Sequence, residues 1–483
     1  MNGERAMPKS NSISRQSQAS KTKGWGFWLW LVSLFLLVLI VAVFVTAWSV
    51  RHVSKGGVRF SEAQSHILIA IADFPMLVHT AVQEVRSMLK GEPLPLLMDR
   101  KATEQPEWVR HFPEPEDTGY LLFSGVDAAA KSTVVQLIKI ADGTVVARWQ
   151  PDWRAILTET HSKKNLQRGS SYSAQAVHPI LLDDGDIIFS HTAGSLVRMS
   201  PCDSKPVWLL DERVHHSNEL DENGTGIWSP SISQDGFADN PWLQERVRDD
   251  ALAHVSTDGR LIERLSFVRI LRENGLQALL MGVSGGRLKA DPIHLNEIKA
   301  AKQDSRYWKR GDLLISARHL STLFLYRPAT NKIIWYQTGP WMNQHSVDFV
   351  DDHRISVFNN NVIGGPGSAK EHAFMTTGDI NQVLVYDFAT KQISQPFAAL
   401  LADAKPATVT AGMARILPDG GLFLEENNFG RHLRFTKDRL LWSRVNDYDD
   451  KRIGMVSWSR YLTAEEANIP LQALAKRKCQ SGR

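Results

Sequence analysis

Four histidines stand at a common phase of a recurring strand–turn–strand pattern: His178 in HPILLDDGDIIFSH, His216 in HSNELDENGTGIW, His294 in HLNEI ahead of GDLLISARH, and His345 in HSVDFVDDHRISVFNNN. An imidazole whose pKa lies near its ordinary value of about 6.5 can attack an electrophile, shuttle protons or ligate a metal near neutral pH. Its neighbours decide among these. Arg318, Asn296 and Asn360 fall beside the histidines in the same segments. A guanidinium forks two hydrogen bonds onto an oxyanion, amides add neutral donors, and a cation among imidazoles repels a metal ion. Zinc would call for carboxylate or thiolate company and calcium for clustered oxygens. The set reads as a site that binds or transfers a small oxyanionic group, with no metal ligand assigned and no cofactor expected.

The elements that must position these residues follow from the spacing. Six residues after His178 comes Asp184, before Gly185; six after His216 comes Glu222; six after His345 comes Asp351. A further copy, MARILPDGGLFLEENN, carries Met413 in that slot, so the repeat is structural and histidine is an optional filling of it. Each copy is two apolar, β-branched runs around a turn able to adopt positive φ. A second hairpin alternates with the first, with turns near Gly143, Ser204, Gly259, Asn331, Thr390 and Asp438. Two alternating hairpins make a four-stranded unit, and a series of such units predicts an all-β fold, a six-bladed β-propeller. Uneven intervals keep five or seven blades open, and a stacked pair of β-sandwiches is the competing architecture. If the histidine-bearing hairpin is innermost, its antiparallel return brings Ser190-His191, Trp228-Ser229, Arg318-His319, Asn359-Asn360-Asn361 and Glu425 to Asn428 to the same mouth of a central channel.

Ahead of the repeats, Trp25 to Val50 is an apolar run without an ionisable residue, longer than the roughly 20 residues a spanning helix needs and flanked by tryptophans. It is read as an uncleaved anchor rather than a signal peptide. Arg5, Lys9, Arg15, Lys21 and Lys23 precede it against one acid, Glu4, which predicts a cytoplasmic amino terminus and a carboxy-terminal domain facing the periplasm or exterior of an inner membrane. Ser61 and Gln64 fit a capping box for a helix whose stripe includes Ile67, Ile71, Val78 and Val82. Such a helix could support a homodimer or lie on a membrane surface; it is read as a collar on the propeller. The expected divisions are therefore a basic tail over 1–23, the anchor over 24–50, a helical collar over 60–91, an extended linker over 92–117 and the propeller over 118–483. Cys202 and Cys479 are the only cysteines, and pairing and free thiols stay equally open. A net charge of +4, without a basic cluster interleaved with aromatics, argues against nucleic-acid binding.

HLNEI followed by LLISARH, then WMNQHSVDF and ISVFNNN, resembles the bacterial arylsulfate sulfotransferases in the order of its motifs: His-x-Asn, Ser-x-Arg-His, a Gln-His pair and a Phe-x-Asn strand end. The His215-His216 pair resembles that family's upstream histidine motif, and the repeat phase favours His216 as its counterpart. The resemblance implies a six-bladed propeller that moves a sulfuryl group from an aryl sulfate donor to a hydroxyl acceptor, such as a phenol, through a sulfurylated histidine and without a nucleotide donor. By position it implies His345 as nucleophile, with His294, Asn296 and Arg318 holding the sulfate oxygens and His216 completing the site; His215, Asn360 and His178 are expected to contact substrate. The stretch between Arg318 and His345 is short for the family, and Asn359 stands where the family has an acid. No GxxxxGK[ST] loop is present, in keeping with a nucleotide-independent donor. The competing functions are a non-catalytic, membrane-tethered scaffold whose histidines only line the pore, and a metal-dependent hydrolase or lactonase.

Overall fold

The turns that punctuate the sequence are turns in space. Gly185 and Gly420, for example, adopt φ of 85° and 77°, which only glycine accepts without strain. In the computed structural model, which describes residues 19–54, 62–99, 108–111, 117–160, 171–191, 194–282, 288–364, 374–376 and 380–479, the strands between these turns form six blades. The histidine-bearing hairpin is the inner pair of its blade and the second hairpin the outer pair, as the alternation predicts. Blade 2 runs Ala176–Leu181, Ile187–His191, Leu196–Met199, Pro206–Leu210; blade 3 runs Glu219–Leu220, Gly226–Ser233, Asp249–Ser256, Leu261–Ser266. Blade 4 is Leu295–Ala300, Leu313–Ala317, Thr322–Arg327, Lys332–Thr338; blade 5 is Val347–Phe349, Arg354–Asn359, Gln382–Asp387, Gln392–Ser394.

Blade 1 closes the ring. Its three outer strands are Tyr120–Asp127, Ser132–Lys139 and Val145–Trp149, while its innermost strand is the carboxy-terminal Arg460–Leu462, paired with Leu122–Tyr120. Within the segment read as linker, Trp108–Arg110 adds a fifth, outer strand to blade 6 (Met413–Ile416, Leu422–Glu426, Arg431–Phe435, Leu440–Val445), and Leu97–Asp99 pairs with Arg452–Gly454. The core is not central but lies between blades. Six apolar clusters occupy the six junctions: Val135 with Phe189 between blades 1 and 2, Ile188 with Ile227 between 2 and 3, Leu252 with Ile315 between 3 and 4, Leu314 with Val357 between 4 and 5, Phe358 with Leu424 between 5 and 6, and Phe423 with Phe123 between 6 and 1. Each blade thus buries both faces against its neighbours, which is why the repeats fold only as a ring.

The long connections, 150–175, 234–248, 267–294, 360–381 and 395–412, all leave strands at the end where the inner hairpins begin. The Asp/Gly turns lie at the opposite end. The amino-terminal segment is described by itself: Ala19–Ser54 and Glu62–Lys90 are α-helices, and Phe27–Val50 is long and apolar enough to cross a membrane, with a mean hydropathy of 3.0. Ser61 of the expected capping box and the first 18 residues lie outside the described residues. Cys202 and Cys479 form a disulfide, tying the chain beyond the helix Ala464–Lys476 to the outer turn of blade 2.

Candidate active site

Each blade begins at the channel mouth with a sharp change of direction, and a left-handed residue makes it. His178, His216, His294 and Trp458 have φ of 49°, 62°, 55° and 58° at the starts of the inner strands of blades 2, 3, 4 and 1. Bulky side chains rarely adopt this conformation, and where they do it is typically at functional positions. In blades 5 and 6 the left-handed residue comes two positions earlier, at Asn343 and Ala411, so His345 and Met413 follow the turn instead of making it. Met413, opposite Glu425, turns into the apolar cluster between blades 6 and 1.

The starts of the blades bring the imidazoles together. The His216 ring is 4.9 Å from those of His215 and His294 and 6.5 Å from that of His345, and Trp458 lies 6.1 Å from both His216 and His345. His178 sits deeper, its ring edge-on to Trp458 at 5.2 Å, its Nδ1 accepting the Asn218 N–H at 3.2 Å and its Nε2 3.6 Å from Glu219. It faces the interior of the channel rather than the group of four histidines at the mouth.

Hydrogen bonds around each ring decide which nitrogen carries the proton. His294 Nδ1 lies 2.6 Å from the Asp291 carboxylate, an acceptor only, so that nitrogen carries a proton and donates it. His345 Nδ1 lies 2.5 Å from Asn360 Oδ1 and 3.2 Å from Asn343 O; its Nε2 lone pair accepts the Ala411 N–H at 2.9 Å. His319 donates from Nδ1 to Asp291 O at 2.8 Å and accepts at Nε2 from Arg318 Nη1 at 3.0 Å, which steers the guanidinium. Burial holds both His345 and His216 well below the usual imidazole range, assisted by Arg318 for His345 and by the neighbouring imidazoles for His216. Both are neutral at pH 7.

Two amides make hydrogen bonds within the protein. Asn360 gives its amide hydrogens to Thr408 O and Ala411 O, at 3.2 and 2.8 Å, because it bridges blade 5 to the loop before blade 6; it orients His345 through its oxygen. Asn296 donates to Gln344 O at 2.8 Å, linking the start of blade 4 to the residue before His345. Arg318 and His215 are buried. The sequence reading did not single out Arg248, Asp250, Asp291, Ala411 or Trp458. Arg248 Nε binds Asp250 Oδ1 at 2.5 Å and Asp250 Oδ2 accepts the Leu295 N–H at 2.7 Å, so blade 3 holds blade 4 next to His294. Asp291, three residues before His294, was the one legible signal; the others belong to the site only through ring closure.

Below the imidazoles the channel is filled by ions from the inner strands. Glu219 is 3.0 Å from Arg460 and 3.4 Å from Lys299, and Lys299 is 3.4 Å from Asp348. Burial raises the Glu297 carboxyl and the adjacent Glu219 raises it further, so Glu297 keeps its proton. Burial works the same way on Glu219, but Arg460 and Lys299 overcome it and hold Glu219 ionised.

Among solved structures, similar chains include a protein of unknown function from Bacteroides caccae (11% identity, 72% of this chain and 99% of that one, TM-score 0.39). The Neurospora crassa Pan2 WD40 domain is another (10% identity, 75% and 97%, TM-score 0.37), as is the C-terminal WD40 domain of Sif2 (12%, 70% and 84%, TM-score 0.34). No curated protein matches the chain. The family model described as arylsulfotransferase (ASST) matches residues 178–446. That span opens at His178, the first histidine of the repeat, takes in the whole histidine cluster and ends in blade 6; over more than half its length, the chain belongs to the arylsulfotransferase family.

Proposed function

We propose that the protein transfers a sulfuryl group from an aryl sulfate ester to a phenolic or other hydroxyl acceptor through a sulfurylated His345. The observation that carries this reading is the pair of imidazoles, His294 and His345, each with Nδ1 held by a hydrogen bond so that Nε2 faces the site, beside the buried Arg318 guanidinium. At rest the His345 lone pair is capped by the Ala411 N–H; on binding, that N–H turns to a sulfuryl oxygen and frees the nitrogen. His345 Nε2 attacks sulfur, the bond from sulfur to the aryl oxygen breaks, and the aryloxide departs. The acceptor hydroxyl then attacks the same sulfur while its proton passes to His294 Nε2; the S–N bond breaks and returns the lone pair to His345. From His294 the proton goes to the next departing aryloxide. Arg318 and the backbone donors hold the three sulfuryl oxygens, which carry less charge than phosphoryl oxygens and so do not require a divalent metal. Two displacements at one nitrogen let one site serve donor and acceptor in turn.

Membrane tethering belongs to the same reading. The apolar helix supports a single-pass anchor in the inner membrane, and the disulfide supports a propeller on its oxidising, outer side. The test of mechanism is His345→Asn, expected to abolish transfer from an aryl sulfate while thermal stability stays nearly intact. Mass spectrometry of the wild-type protein after donor addition should find a sulfuryl group on the peptide containing His345. Turnover by the variant near the wild-type rate would refute the sulfurylated intermediate.

A further inference from the structure

The proton on His216 is placed from outside the group of imidazoles that surround the reacting position. Arg248 Nη2 lies 2.6 Å from His215 Nε2, and a guanidinium only donates, so that nitrogen accepts. His215 is pushed down to about 4, first by burial and then by Arg248, and is therefore neutral with a single N–H. That N–H must be on Nδ1, which is 2.7 Å from His216 Nδ1. His216 Nδ1 therefore accepts, and because His216 is itself held neutral by burial, its one proton sits on Nε2, on the side of the ring away from His215. Two acceptors near His215 Nε2 favour the opposite arrangement, Ser231 O at 3.3 Å and Asp250 Oδ1 at 3.4 Å. Both are more distant than Arg248, and Asp250 Oδ1 is already taken by Arg248 Nε at 2.5 Å.

We propose that Arg248 is a positioning residue which, relayed through His215, fixes His216 as an Nε2–H donor facing the transferring group. The proposal rests on the sulfuryl-transfer reading for its purpose, but not for its geometry. It divides the labour of the cluster: His294 commits its Nδ1 proton to Asp291, His345 presents a lone pair, and His216 presents a hydrogen to an anionic oxygen. Were His216 the other tautomer, its lone pair would face the anion. Arg248 also stands 3.7 Å from the Asp291 carboxylate that sets the His294 tautomer, so one guanidinium steadies both arrangements.

The test is magic-angle-spinning 15N spectroscopy of the full-length, detergent-solubilised protein labelled at histidine, with the His216 signals assigned by their loss in His216→Asn. In the wild type, Nε2 of His216 should be of the protonated type and Nδ1 of the unprotonated type. In Arg248→Met the order should reverse, because Asp250 then receives the His215 Nε2–H; Arg248→Lys, which keeps a donor, should retain the wild-type order. With an aryl sulfate, Arg248→Met should lower kcat by about tenfold to a hundredfold and change KM little, as expected when a donor matters mainly in the transition state. A wild-type His216 protonated on Nδ1, or an Arg248→Met spectrum unchanged from wild type, overturns the relay. The wild-type spectrum decides by itself if Arg248→Met fails to fold. Absence of sulfuryl transfer together with the expected spectra would instead remove the functional reading and leave the relay standing.

Discussion

At the scale of single residues, most side chains of the site are made useful by the groups behind them. Arg318 is the exception, a buried cation whose fork no other side chain reproduces. Arg318→Lys should keep the charge, lose the bidentate contact and lower kcat/KM for an aryl sulfate by about a hundredfold. The imidazoles also set the pH behaviour. Because burial keeps His216 and His345 neutral, the sulfurylation step at His345 should show no acid limb near pH 6.5, where an ordinary imidazole titrates; a pH profile of the first aryloxide release by the wild type checks this. Stability has the opposite sensitivity. These histidines bind protons near 6.5 when unfolded but only at lower pH when folded, so the unfolded chain takes up more protons as the pH falls. Stability should be full above about pH 6.5 and fall from there toward pH 4, the value to which His215 is pushed, at about 1.4 kcal/mol per pH unit for each buried histidine. Denaturant titrations at pH 7.5 and 5 should show the loss.

At the scale of elements, the start of each inner strand is where function has displaced the residue that folding would choose. A glycine would make the left-handed turn of blades 2, 3 and 4 without strain, yet histidine stands at all three. His294→Gly should therefore cost little stability, within about 1 kcal/mol, while transfer is lost. His294→Val, β-branched and ill-suited to φ of 55°, should destabilise by about 1–3 kcal/mol. Chemical denaturation of both variants distinguishes strain from simple loss of a side chain. The hairpins themselves were readable, since Asp/Gly turns and apolar alternation are local. The start of blade 1 was not: Trp458 precedes a three-residue strand whose partner, Tyr120–Asp127, lies more than three hundred residues earlier in the chain.

At the scale of the whole molecule, chemistry and closure sit at opposite ends. The histidines and the long connections share the mouth, whereas the disulfide joins the carboxy-terminal segment to an outer turn of blade 2 beside the junction that Arg460–Leu462 completes. Reduction should therefore lower the thermal midpoint, by about 3–5 °C for the ~2–4 kcal/mol typical of a disulfide in a domain of this size, with kcat at 25 °C unchanged. Protease added to intact spheroplasts should remove the propeller, and the released domain should carry the Cys202–Cys479 bond; a fully protected, reduced domain would reverse the proposed topology.

The sequence by itself determined the repeat, the six outer hairpins, the common phase of four histidines and the long apolar helix, because each is written in the order of neighbouring residues: turn chemistry, alternation and hydropathy act over a few positions. Tertiary structure alone decided how the ring closes, that the two cysteines meet, and which groups stand behind the imidazoles. Asp291 is three residues from His294, but Arg248 and Asn360 become partners of His215 and His345 only when their blades fold, and Ala411 reaches His345 only when blade 6 packs on blade 5. A tautomer depends on what lies within about 3 Å of each nitrogen, and that distance is fixed by packing between blades rather than by spacing along the chain.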